Sequence, residues 1–319
     1  MKDTGYEFIL ALMTWSFTRL ESFYQCKSAW KRKYVDCEQD RSENAFSQYG
    51  SVSHKVLEEF LKGKIGMFEM ADEYKDLFAR QITEPFPYNK SGDLAESYYN
   101  KGLKYFEEFT DVFPGIDEVL GVEKKVKFNI EGYSFIGFID VLAKNKDGKV
   151  VVCDHKSASV KFKKNGEPTK KAAEKMEMYK KQLYLYCKAL IDQGIKPDIL
   201  CWNFFNDQNV YMIPFKENEY QDTLKWAVDT IHLIEQEENF ELHDDFYFCH
   251  NICEFRHNCE HGMQERTEDT ASKLNKRLYK CPVCGAPVTG DKCEYCGCLI
   301  YGSNDKEEYE RSWETESFL

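Results

Sequence analysis

The sequence predicts an α/β protein: a mixed central sheet flanked by helices, followed by a small cysteine-rich module. Three observations predict it. Helical stretches fill much of residues 14–113 and 170–240. Between them lie β segments, foremost Tyr133–Ser157, YSFIGFIDVLAKNKDGKVVVCDHKS, which reads as a hairpin of two Val-, Ile- and Phe-rich runs. Two CxxC pairs close the chain.

The hairpin organises the rest. It carries carboxylates where a buried strand should be apolar: Asp140 on its first strand, Asp154 beside Lys156 on its second. Strand side chains alternate, so Asp154 and Lys156 share a face. A loop of Lys146, Asp147 and Gly148 pairs Asn145 with Lys149 and sets Asp140 opposite Asp154. Asp147 suits a type I turn and Gly148 can take the positive φ that closes it. A loop one residue shorter or longer would put Asp140 on the wrong face. Two carboxylates side by side repel unless a cation or proton lies between them. With a lysine alongside, the pattern suits a metal-activated hydrolytic site.

Composition narrows the classes. The chain's 319 residues suffice for one sizeable core and a small module. No apolar run approaches the length of a membrane span and no signal-peptide pattern opens the chain, so a cytoplasmic location is expected. There the 13 cysteines read as metal ligands rather than disulfides. A net charge of −12 argues against a general polyanion binder. Nucleic acid would have to be met by local patches. Lys27, Lys31, Arg32 and Lys33 form one basic cluster, and residues 155–181 hold nine lysines against three glutamates.

Taken in order, Thr14–Tyr34 reads as a helix containing Cys26, with Thr18 and Glu21 as a capping box. Glu43–Gly63 is a second helix, on which His54 lies beside Val52, Val56, Leu57 and Phe60. Further helices follow to Phe113, broken by a loop at Pro85 and Pro87. Gly115–Ile130 is a strand with Glu123 near its start. After the hairpin come a lysine-rich loop over Val160–Thr169 and a helix over Lys170–Gln193. On it Gln182 and Tyr186, four apart, share a face. Two β segments over Pro197–Pro214 and a closing helix over Asn218–Phe240 complete the main domain, with Cys249, Cys253 and Cys259 at its end. Domain boundaries fall at 1–266, a polar linker at 267–276, and a module with an acidic tail at 277–319. In the module, Cys281, Cys284, Cys293 and Cys296 have the spacing of a structural zinc ribbon, with Cys298 able to replace Cys296. So short a strip cannot bury a core without metal.

The ordered series His54, Asp140, Asp154-x-Lys156 and Gln182-xxx-Tyr186 resembles the RecB-type nucleases of the PD-(D/E)XK superfamily, including the CRISPR adaptation nucleases. The resemblance covers about Trp15 to Gly262. It implies a metal-dependent nuclease with magnesium or manganese held by His54, Asp140, Asp154 and the backbone carbonyl of His155. Lys156 would position the attacking water or stabilise charge on phosphorus, Gln182 and Tyr186 would orient the site, and Glu123 would be an added carboxylate. It also implies an iron–sulfur cluster, of the 4Fe–4S kind, on Cys26, Cys249, Cys253 and Cys259. Two departures stand out: Lys27 follows Cys26 where a proline is common, and three residues rather than two separate Cys249 from Cys253. Cys37 is a spare ligand, and zinc with His250 or His257 is the competing filling. The expected activity is DNA cleavage, by a stand-alone exonuclease acting on single strands or ends in recombination or repair, with a phage as one source of such a chain. The ribbon could engage a protein partner. The alternatives are a non-catalytic nucleic-acid-binding module of this fold and a metal-cluster protein of redox or assembly function.

Overall fold

The computed structural model describes residues 6–89 and 92–263, with the backbone of 279–280 and 287–288. A short helix α1 (Glu7–Ala11) precedes α2 (Phe17–Gln25) and α3 (Lys27–Tyr34). The expected continuous helix is therefore two, and its cap differs. Ser16, in extended backbone just before buried Phe17, accepts from Arg19 N at 3.2 Å, so Thr18 lies inside the helix. Cys26 breaks the helix with φ −160° and ψ 110°, and its thiol caps α3 by accepting from Ala29 N at 3.4 Å.

Helices α4 (Ala45–Leu61), α5 (Met70–Gln81) and α6 (Leu94–Glu107) follow. Then come β1 (Ile116–Ile130), β2 (Tyr133–Asn145), β3 (Val150–Lys156), helix α7 (Lys170–Asp192), β4 (Ile199–Phe204), β5 (Asn209–Pro214) and helix α8 (Glu217–Glu235). The five strands lie in sequence order. Only β3 and β4 are parallel, with α7 as the crossover between them, so the sheet is mixed as expected.

Both faces of the sheet are covered. Leu142, Val152, Leu200 and Trp202 pack on the layer holding Leu20, Trp30, Leu183 and Ile231 of α2, α3, α7 and α8. Their neighbours Val141, Ala143, Val151, Cys153 and Cys201 pack on Val56, Tyr74 and Phe106 of α4, α5 and α6. Burial on two sides is why β3 reads as a nearly unbroken apolar run, and why its Asp154 and Lys156 stand out.

The hairpin has the expected register. Val141 pairs with Cys153 and Lys144 with Val150. Gly148 takes φ +73°, and Asn145 N donates to Lys149 O at 3.0 Å. Asn145 adds a contact the pattern did not reveal: its Oδ1 accepts from the backbone of Asp147 and Lys149 at 3.1 and 2.9 Å.

Helices α9 (Phe246–Asn251) and α10 (Glu260–Met263) flank a segment that packs back on the first helices. Lys33 meets Glu254 at 2.7 Å, and buried Arg256 donates to Ser42 O, Glu43 O and Glu84. The basic cluster of the first helices is consequently not a free patch. Lys27 pairs with Glu237, Lys31 with Asp36, Arg32 with Glu38 and Lys33 with Glu254. Short strands β6 (Tyr279–Lys280) and β7 (Pro287–Val288) pair antiparallel. The linker and Cys281, Cys284, Cys293, Cys296 and Cys298 lie outside the described residues.

Candidate active site

The predicted residues meet at the C-terminal end of β3, where β1 and β2 pass between α4 on one face of the sheet and α7 on the other. From α4, His54 Nδ1 reaches within 3.6 Å of Asp140 Oδ2 and 3.9 Å of Glu123 Oε1, while its Nε2 lies 3.1 Å from the His155 carbonyl. Asp140 is 8% exposed and also accepts from His155 N at 2.7 Å. Burial, opposed by His54 and reinforced by Asp154, pushes the Asp140 carboxyl up to about 7. Burial alone would lower the His54 pKa, but the Asp140 and Glu123 carboxylates overcome it and the net shift is upward.

Glu123 is set inside β1 rather than near its start, and takes φ +50°. The left-handed region disfavours an L-residue by about 1–2 kcal/mol. In the β1–β2 register it falls between Val122↔Val141 and Lys124↔Ile139, directly across from Asp140. The strained backbone aims its carboxylate at His54.

Lys156 forms a second group. Its Nζ lies 2.7 Å from Asp154 Oδ2, donates to Gln182 Oε1 at 2.7 Å, and stands 4.7 Å from the centre of the Tyr179 ring. The Asp154 contact is close but off the hydrogen-bonding angle, and this buried oxygen has no hydrogen-bond partner. Gln182 is thus tied into the site, and Tyr186 is buried against Gly137, where an added Cβ would come within 2.3 Å of Tyr186 Cε1. The His155 ring points to the other layer. It is fully desolvated, which holds its pKa well below the usual value, and its Nδ1 meets Asn203 Nδ2 at 3.2 Å. Asn203 also donates to Tyr105 at 2.7 Å.

His54, Glu123 and Asp140 can bring one ligand atom each within 4.8 Å of one another, and among the described residues no other such trio does. Of the two carboxylates expected to share an ion, Asp140 faces the imidazole at 3.6 Å and Asp154 the lysine at 2.7 Å. Two carboxylates and an imidazole suit a hard divalent cation with some preference for manganese. The orphaned Asp154 oxygen and the His155 carbonyl add further donors, so the residues fit such an ion.

Three residues near the site escaped the sequence reading. Glu21 does not cap α2. Burial raises its pKa, offset by Lys156 and strengthened by Asp154, which sets it at the same crevice. Lys175 and Tyr179 precede Gln182 by seven and three residues, and the helical spacing from Gln182 and Tyr186 would have found them.

Cys26, Cys249, Cys253 and Cys259 line one small cavity together with Arg32 and His243. Neither His250 nor His257 lines it, and Cys37 is exposed. No three of the four thiols fall within 4.8 Å of one another. Burial raises the thiol pKa of Cys249 and pushes that of Cys253 up to about 11.

Residues 14–260 match the profile of the PD-(D/E)XK nuclease superfamily. No curated protein matches the chain. Among solved structures, it is similar to a candidate exonuclease from Eubacterium rectale at 12% identity and a TM-score of 0.45, over 84% of this chain and 94% of that one. The protein SSO0001 is similar at 18% identity and a TM-score of 0.29, over 80% and 95%. At these scores neither adds to the family match.

Proposed function

Since the chain belongs to the PD-(D/E)XK nuclease superfamily, we propose that it is a metal-dependent deoxyribonuclease, an exonuclease acting on single strands or ends in recombination or repair. The observation that supports this most is the pairing of two groups at one strand end. His54, Glu123 and Asp140 converge on one side, and Asp154, Lys156 and Gln182 on the other. Magnesium or manganese bound there would act as a Lewis acid on the phosphodiester and activate water. His54, Glu123, Asp140, the Asp154 oxygen and the His155 carbonyl would hold it.

The chain's own residues do the rest. Lys156, fixed by Gln182 and Asp154, presents an ammonium to the negative charge that builds on phosphorus. Tyr186 buttresses α7 against Gly137 and so keeps Gln182 in place. The lysines at 161, 164, 170 and 171 form no ion pair among the described residues and would follow the phosphate backbone, making binding salt-sensitive.

For the four clustered cysteines we propose an iron–sulfur cluster. Four thiols lining one cavity, joined by neither His250 nor His257, can supply one thiolate to each iron of a four-iron cluster. The C-terminal cysteines are proposed as a zinc ribbon that engages a protein partner or longer DNA.

An anaerobic digest of end-labelled and circular DNA, single- and double-stranded, with magnesium or manganese, tests the activity. Cleavage should require the metal and favour ends. Asp154→Ala and Lys156→Ala should each lower kcat at least about 100-fold while the protein stays folded. Full activity in either variant would remove these residues from the chemistry, and binding without any cleavage would support the non-catalytic alternative.

A further inference from the structure

On α7, Lys175, Tyr179, Gln182 and Tyr186 recur at four, three and four residues, which places them along one helix face running into the site. The lower two hold the machinery already described. The upper two are not explained by packing alone. Tyr179 is half-buried, leaning on Phe204 at 6.2 Å between ring centres. Two ammoniums approach its ring, Lys156 at 4.7 Å and Lys175 at 5.7 Å. Lys156 has Asp154 and Gln182 as partners. Lys175 is exposed and has no carboxylate within 4.0 Å among the described residues. Most other lysines on this helix differ: Lys180 meets Glu177 at 2.6 Å, Lys188 pairs with Asp192, and Lys181 lies over Trp226 at 4.7 Å.

Two like charges set on one ring repel each other, and an anion reaching both relieves this. Though the Lys175 side chain is exposed overall, partial desolvation, with Lys156 nearby, lowers its pKa, against the opposing pull of Glu21 and Asp207. A nucleic-acid strand whose scissile phosphodiester sits at Lys156 carries its next phosphate one nucleotide along, and Lys175, over the same Tyr179 ring as Lys156, is the next cation on this face.

We propose that Lys175 binds the phosphate adjacent to the scissile one, and that Tyr179 is the positioning residue whose ring holds both ammoniums in register. The substrate class is a single strand with a phosphate beside the cleaved bond. This rests on the nuclease reading above.

The test uses the full chain, with Lys175→Gln, Tyr179→Phe and Tyr179→Leu, folding being checked by thermal unfolding. Affinity for a fluorescein-labelled single-stranded oligonucleotide is measured in calcium across salt concentrations, and kcat and KM in manganese. Lys175→Gln should weaken binding about tenfold and flatten the salt slope by about 0.7, the contribution of one single-strand phosphate contact. Its loss of activity should fall on KM. Tyr179→Leu should lower kcat and raise KM, and Tyr179→Phe, which keeps the ring, should recover both relative to Leu. Unchanged affinity and salt slope in Lys175→Gln overturn the proposal, as does Tyr179→Phe behaving like Leu. If the wild type binds but does not cleave, the nuclease reading fails, while the calcium measurements still decide the phosphate contact.

Discussion

Asp140→Asn should make the metal-free protein more stable at high pH. The Asp140 carboxyl rises from an ordinary 3.8 to about 7 in the fold. Between those values the unfolded chain carries an ionised Asp140 and the folded protein a protonated one. The folded state then binds more protons, so stability falls as pH rises and levels off above about 7. Moving one carboxyl from 3.8 to about 7 corresponds to about 4 kcal/mol. His54 faces the same carboxyl, so the two titrate as a pair. The asparagine keeps an acceptor for His155 N and removes the charge. In EDTA, the stability difference between variant and wild type, from urea unfolding, should grow with pH from 4.5 to 8, reaching about 4 kcal/mol. Magnesium should stabilise the wild type more at pH 8 than at pH 5.5 and leave the variant nearly unmoved. A difference that stays flat within about 1 kcal/mol across this range would refute the reasoning, because the buried carboxyl would then not be the titrating group.

Gly137→Ala should cost about 1–3 kcal/mol in urea unfolding, because its Cβ meets the Tyr186 ring at 2.3 Å, and Tyr186→Ala on the same background should recover part of the loss. Protein purified without oxygen should be brown and contain iron, and Cys253→Ala should bleach it; colourless protein with two zinc ions per chain would favour zinc in the cysteine cavity. Truncation after Arg266 should leave cleavage of a short oligonucleotide within about twofold of the full chain while weakening engagement of longer DNA or a protein partner; loss of the folded main domain would move the boundary.

Much of this molecule was legible from local chemistry. The hairpin register followed from counting residues and from the turn preference of Asp147 and Gly148, because strand alternation admits one parity. Helices α4 and α7 were legible from their stretches of sequence, and the bond between Lys156 and Gln182 joins two motifs read separately. The helix break at Cys26 was not legible, since no glycine or proline marks it and the thiol cap that opens α3 is a contact of the folded backbone. Nor was the neutralised basic cluster, whose carboxylate partners include Glu237 and Glu254, more than 200 residues away. Glu123 had no local signal of its place: nothing in its stretch of sequence marks a positive φ inside a strand. The sequence by itself determined which residues could carry charge into an apolar sheet, because that depends only on residue type and period. The tertiary structure alone decided which of those charges meet, because Coulomb energy depends on distances that only packing sets.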